Sequence, residues 1–124
     1  MLTSLATYPP QYTACNTAFA THLVVHAGPC AVTRVHASIK HDAANAVYFL
    51  QIIDSATAVN AGGAITLIAV KEVNHKQNET ELFDFEFGLG GVRCAAGCVV
   101  QLSTTVGVGT LDGTNLLAFA TYLV

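Results

Sequence analysis

Histidines, cysteines and carboxylates are the residues with chemistry to offer in this sequence, and their spacing decides which chemistry. His22 and His26 stand four apart. On an extended chain they share a face, as a metal-binding pair would, but at strand rise they lie about 13 Å apart, too far for one ion. His36, His41 and His75 show no ligand spacing and read as surface or loop residues. Cys94-Ala95-Ala96-Gly97-Cys98 is a CxxxC, not the CxxC of a zinc knuckle or redox centre. On one straight strand Cys94 and Cys98 would again be about 13 Å apart, beyond disulfide reach. Reduced, buried thiols are the expectation, with Cys15–Cys30 the first pair to suspect should a disulfide exist.

Asp84 and Glu86 share a face, the starting point of an acid/base pair. They alternate with Phe83, Phe85 and Phe87, which puts them on the solvent side of an amphipathic strand, with no apolar pocket to raise a carboxyl pKa. The run Gly88-Leu89-Gly90-Gly91 lacks the Lys-Ser/Thr and strand-to-helix setting of a phosphate loop, and reads as a hairpin turn. Asn78-Glu79-Thr80 fits a glycosylation sequon, which has no consequence without a secretory signal. No serine or cysteine sits in a nucleophile signature. No catalytic, cofactor-binding or metal residues can be assembled, so the expectation is a protein that is not an enzyme and carries no cofactor.

The elements that position these residues are strands. Cys30–Lys40 alternates, with Thr33, Val35, Ala37 and Ile39 facing in and Arg34, His36, Ser38 and Lys40 facing out. Thr21–His26, Ala46–Ile53, Ala64–Val73, Glu81–Phe87, Cys98–Leu102 and Leu116–Val124 complete the set, separated by Gly, Pro and Asn-rich breaks. No segment has a helical period. The reading is an all-β chain: a single antiparallel β-sandwich, jelly-roll-like or Ig-like, of about seven or eight strands over residues 19–124. Residues 1–18, with Pro9-Pro10, form an extended N-terminal arm. The strands on either side of Gly88–Gly91 are expected to pair at the centre, with Phe85 as a core residue.

Composition bounds the rest. The chain has 124 residues, 10% charged and 52% hydrophobic, with net charge −3; ordinary domains are about one quarter charged. Without a Lys/Arg cluster it is not built to hold nucleic acid phosphates, and no apolar run reaches the roughly 18–20 residues of a membrane span. So little charge implies surface covered by other chains. Val99–Leu102 and Ala46–Ile53 are apolar on both sides, yet a sandwich buries one face of each sheet. The second face, with residues such as Val99 or Tyr48, is therefore expected to lie against another copy or a partner, giving a homo-oligomer, a dimer or trimer.

Tyr48-Phe49-Leu50-Gln51-Ile52-Ile53-Asp54 is similar to a strand of the pattern Y-h-Q-h-h-D, where h is apolar. Phe85–Gly91, then Gly97-Cys98-Val99-Val100-Gln101-Leu102-Ser103-Thr104-Thr105, is similar to a later segment F-G-x-x-G…G-h-h-h-x-h-S-T-T. Together they resemble small β-sandwich virion proteins of tailed bacteriophages, over roughly residues 30–124. Cys94 and Cys98 stand where that pattern has aromatic or aliphatic residues. The resemblance implies a virion structural protein assembled in the host cytoplasm. Its leading form is a capsid decoration or cement protein whose partner is the major capsid protein or another virion protein, and it implies no catalytic residues. The alternative on the same particle is a tail or fibre module binding a host-surface glycan, for which Tyr8, Tyr12 and the Asn74–Asn78 loop are the candidates. A small β-sandwich enzyme or ligand-binding module is the alternative of another class.

Overall fold

Period-2 alternation and β-branched residues build strands wherever glycine, proline or polar clusters do not interrupt them. The computed structural model describes residues 10–40, 48–73, 80–111 and 113–124. Its strands are β1 (Gln11–Cys15), β2 (His22–His26), β3 (Cys30–Lys40), β4 (Tyr48–Asp54), β5 (Gly63–Ala64), β6 (Leu67–Val73), β7 (Thr80–Glu86), β8 (Val92–Cys94), β9 (Cys98–Ser103), β10 (Val108–Gly109) and β11 (Leu116–Leu123). The described residues contain no helix. The count exceeds the expected seven or eight because three additions are short: β5 and β10 have two residues each, and β8 has three.

Every strand pairing is antiparallel, and the partners follow a rule. The first strand pairs with the last, β1 with β11, and β2 pairs with β9. β3 pairs with both β7 and β8, and β4 with β6. Two further pairings, β11 with β3 and β9 with β4, join these couples into sheets. The first sheet has the order β1-β11-β3-β7, with β8 also on β3; the second has the order β2-β9-β4-β6. The arrangement is compatible with a β-sandwich. One core cluster takes Val32, Val35, Ala37, Ile39, Leu116, Ala118 and Ala120 from the first sheet. From the second it takes Leu23, Val25, Leu50, Ile52, Val100 and Leu102. Small alanines on one side leave room for leucine and isoleucine on the other, and each large buried side chain contributes roughly 1.5–3 kcal/mol.

Three expectations change. The strands around Gly88–Gly91 are not a central hairpin. β7 and β8 run end to end along β3, partnering residues 34–40 and 30–32 respectively, so the glycines make a detour within one edge of the first sheet. Gly91 shows why glycine is needed there. Its φ is 70°, and a Cβ would come within 2.6 Å of the Val32 carbonyl oxygen. The chain turns over to the second sheet only at Ala95–Gly97. Phe85 keeps the expected inward side and packs against the core cluster, but from an edge strand and so only half-buried, with Phe87 at 6.3 Å between ring centroids. The extended arm is also shorter than residues 1–18, because Gln11–Cys15 is an edge strand registered against Phe119–Leu123. The remainder of the arm, residues 1–9, lies outside the described residues.

Candidate docking face

Strand alternation sends half of each strand of the first sheet outward. From β3 this gives Arg34, His36, Ser38 and Lys40, from β7 Leu82, Asp84 and Glu86, and from β11 Leu117 and Phe119. Register then decides which of them meet. Asp84 and Glu86 are opposite His36 and Arg34. The Arg34 guanidinium donates from Nε to Asp84 Oδ1 and from Nη2 to Asp84 Oδ2, both at 3.1 Å. His36 closes a triangle, with Nδ1 3.3 Å from Asp84 Oδ1 and Nε2 3.4 Å from Arg34 Nη2. A neutral imidazole with its proton on Nδ1 satisfies both contacts. The guanidinium beside Asp84 holds its carboxyl below the usual carboxylate range. The pair expected from sequence to be solvated carboxylates is thus an exposed ion cluster, with the lowered pKa the reverse of what a general acid needs.

This charged ridge separates two shallow hollows. One, of about 290 Å³, is lined by Cys15, His36, Ser38, Leu82, Leu117 and Phe119 among others. The other, of about 380 Å³, is lined by Gln11, Thr33, Arg34, Glu86, Leu89 and Thr121 with Gly88. Leu82 and Leu89 are 77% and 91% exposed, and Phe119 is 40% exposed. The face thus sets open apolar side chains, Leu82 and Phe119, beside an ordered polar ridge, the make-up of a candidate interaction surface.

One row across this sheet holds the residue types of a Cys–His–Asp constellation, since Cys15, Phe119, His36 and Asp84 are successive cross-strand partners. The order defeats the chemistry. Phe119 stands between thiol and imidazole, and two strand spacings put their backbones about 10 Å apart. A general base must reach its nucleophile at hydrogen-bond distance. Sequence gave no hint of this row, because it exists only through the pairing order of strands far apart in the chain.

The outer face of the second sheet is covered over its two central strands, β4 and β9, while Val24 of β2 and Val70 of β6 stay exposed at its margins. Gln51 and Gln101 are direct partners on β4 and β9 and are fully buried. Gln101 Nε2 donates to Gln51 Oε1 at 2.8 Å and to the Val59 carbonyl at 3.2 Å, while Gln101 Oε1 accepts from the Val59 amide at 3.0 Å. Gln51 Nε2 donates to the carbonyls of Thr105, Val106 and Val108 at 2.8, 3.2 and 3.0 Å. The connections after β4 and β9 therefore lie over the sheet, clipped together as β5 against β10. This corrects the expectation for Val99 and Tyr48. Tyr48 points into the core, and Val99 is fully buried by the chain's own residues.

The remaining predicted positions have structural roles. Asp54 closes the Y-h-Q-h-h-D segment by accepting from the backbone amides of Ala95, Ala96 and Gly97 at 2.9, 2.8 and 3.3 Å. Those amides, Ala96 foremost, lower its pKa. Cys94 and Cys98 are not held apart on one straight strand: Cys94 ends β8, Cys98 opens β9, and the turn between them is the one Asp54 clasps. Cys15 is exposed and Cys30 buried in another place, so that pairing has no basis. His22 bonds Thr21 Oγ1 at 2.7 Å, and the His26 ring packs 5.1 Å from Tyr122. Tyr12, 5.6 Å from Tyr122, is the outer ring of that stack. Among the described residues no three His, Cys, Asp or Glu gather to hold a metal ion, and no helix is long and apolar enough to cross a membrane. Tyr8, His41, His75 and the Asn74–Asn78 loop with its sequon asparagine lie outside the described residues. Comparison with protein-family models, curated proteins and solved structures finds no match to the chain.

Proposed function

We propose that this chain is a non-enzymatic jelly-roll protein of a bacteriophage particle, a decoration or cement protein that docks on the capsid through the open face of its first sheet. The strand pairing supports the jelly-roll reading over the Ig-like one. With the short β5, β8 and β10 set aside, joining first with last, second with second-last and so inward describes one long hairpin of four strands a side, rolled into two layers. Jelly rolls serve in viral shells, in lectins and in cupins; the fold alone selects none of them. A cupin reaction needs ligands inside the roll, whereas this interior is packed with aliphatic side chains and thiols. The virion assignment draws on the resemblance of the segments 48–54 and 97–105, which lie side by side as β4 and β9.

The observation that carries the docking role is the asymmetry of the two outer faces. One has its central strands covered by the chain's own loops and exposes Val24 and Val70 only in part at its margins, whereas the other leaves Leu82 and Leu89 almost wholly in water with Phe119 beside them. Cementing adds apolar contact across junctions between capsid subunits, and a junction with local symmetry accommodates this chain as a dimer or trimer. Mass spectrometry of purified particles, followed by electron microscopy of their surface, tests the proposal. The expected result is the chain on the shell with β3, β7 and β11 against it. Absence from particles overturns the assignment, and contact through the covered face overturns the docking role. A second reading, glycan binding by a tail module, is favoured by the exposed Tyr12 ring stacked on Tyr122. It predicts a host glycan whose binding is lost in Tyr12→Ala.

A further inference from the structure

Three of the four thiols converge in the core. Cys30 opens β3, Cys94 ends β8, and the two are direct antiparallel partners. Cys98 opens β9 on the far side of the Ala95–Gly97 turn. All three are fully buried free thiols, and Cys94 is the cross-strand partner of Cys30 on β3. Directly opposed residues of an antiparallel pair have Cα atoms roughly 4.5–5.5 Å apart, within the span of about 4.4–6.8 Å that a disulfide bridges. β8 is only three residues long and paired on one strand alone, so local opening at the sheet margin exposes Cys94 at far lower cost than global unfolding.

We propose that Cys30 and Cys94 form a disulfide by exchange with a small disulfide of the glutathione class, and that this bond fastens β8 to β3. When β8 opens, the Cys94 thiol loses its proton to solvent and the thiolate attacks one sulfur of glutathione disulfide. A mixed disulfide forms at Cys94, and glutathione thiolate leaves. While β8 is still open, the Cys30 thiol loses its proton, its thiolate attacks the Cys94 sulfur, and the second glutathione leaves as a thiolate that takes up a proton from solvent; β8 then recloses over the Cys30–Cys94 bond. Two protein thiols are oxidised and one glutathione disulfide is reduced to two thiols. Cys94 is the first nucleophile for a geometric reason: it ends β8, the short strand that opens, whereas Cys30 and Cys98 lie on β3 and β9, which have strands on both sides. Burial pushes all three thiols up, Cys30 to about 11 and Cys98 higher still, so none reacts while the site is closed. Cys98 remains a free thiol.

The test uses the full chain carrying Cys15→Ser, which removes the exposed thiol. The protein is equilibrated across ratios of oxidised to reduced glutathione, quenched by alkylation under denaturing conditions, and analysed by intact mass and peptide mapping. The expected product has lost two alkylatable thiols without a glutathione adduct and links the Cys30 and Cys94 peptides. Its melting temperature is raised on the order of 10 °C, reversibly with dithiothreitol. Cys98→Ala keeps this link, and Cys30→Ala stops at a glutathione adduct on Cys94. Three alkylatable thiols at every ratio, a Cys94–Cys98 link, or a Cys30–Cys94 link that leaves the melting temperature unchanged or lower would each overturn the proposal.

Discussion

The two outer faces of this molecule start from the same kind of antiparallel sheet and differ in how their central strands are covered, although Val24 and Val70 at the margins of the second remain exposed. On the second sheet, Gln51, Ile53, Val99, Gln101 and Ser103 are fully buried. On the first, the corresponding outward positions of β3, β7 and β11 stay open to solvent. The difference lies in the connections. Those between β4 and β6 and between β9 and β11 are long and rich in Gly, Ala, Thr and Val. With little side-chain bulk, their backbones descend onto the sheet, and the buried glutamines supply the donors and acceptors that their carbonyls and amides would otherwise lack. A polar residue in the middle of an apolar strand is here the anchor of a lid. Among the described residues no such loop lies above the first sheet, so its outward residues keep the ordinary amphipathic pattern, with Leu82 and Phe119 exposed among them.

Removing the anchor is the strongest way to break this contrast. Gln101→Ala strands Gln51 Oε1 and both backbone groups of Val59 in a dry site. The expected cost is about 3–5 kcal/mol, read as a fall in the denaturant midpoint, with early proteolysis within residues 55–66. A Gln101→Ala protein with wild-type midpoint and protection would show that the lid is held by something else. Gly109→Ala attacks the same lid from the opposite side. A Cβ there runs into the Val59 backbone and comes within 2.9 Å of Gln101 Nε2, and the expected cost is about 1–3 kcal/mol. Asp54→Ala should cost less, about 1–2 kcal/mol, since water reaches the Ala95 and Ala96 amides once the carboxylate is gone. The sign of its pH dependence follows from its lowered pKa. The stabilisation is full above the ordinary aspartate range and is lost as pH falls through the depressed folded value. An acid titration of wild type against Asp54→Ala should therefore converge at low pH.

These same residues show what the sequence discloses and what it hides. The strands of residues 30–40, 48–54 and 98–103 were legible because hydrophobic alternation is a local signal, and so were the faces of β3. Gln51 was visible as the odd residue in an apolar strand, but its role was not, because its partners Thr105, Val106 and Val108 sit more than fifty positions away in a loop that has no periodicity. The glycines at 88–91 misled for a related reason. Glycine marks a departure from extended geometry, but whether the chain reverses or detours depends on the strand beside it, here β3. The thiol cluster was hidden because Cys30 and Cys94 meet only through register. Of the candidate face, the outward positions of β3 and β7 were readable, whereas the hollow between Cys15, Phe119 and Leu82 needs the order β1-β11-β3-β7, which no local pattern encodes.

The smallest effect on stability should come from the open face, and there the reading of that face as a docking surface stands or falls. Phe119→Ser with Leu82→Ser removes two exposed apolar side chains that fill no core, so the melting temperature should move by no more than about 2 °C. Association should respond quite differently, because an apolar side chain that costs nothing to remove from the free protein still loses its buried contact in a complex. Binding of the double variant to particles stripped of this chain should fall at least tenfold, whereas Arg34→Ala, at the charged ridge, should mainly steepen or flatten its dependence on salt. A double variant that binds as wild type does, with unaltered stability, would show that the exposed apolar residues of the first sheet are ordinary surface. A variant that unfolds would show instead that this face is part of the core energetics, and the contrast between the two faces would be one of degree.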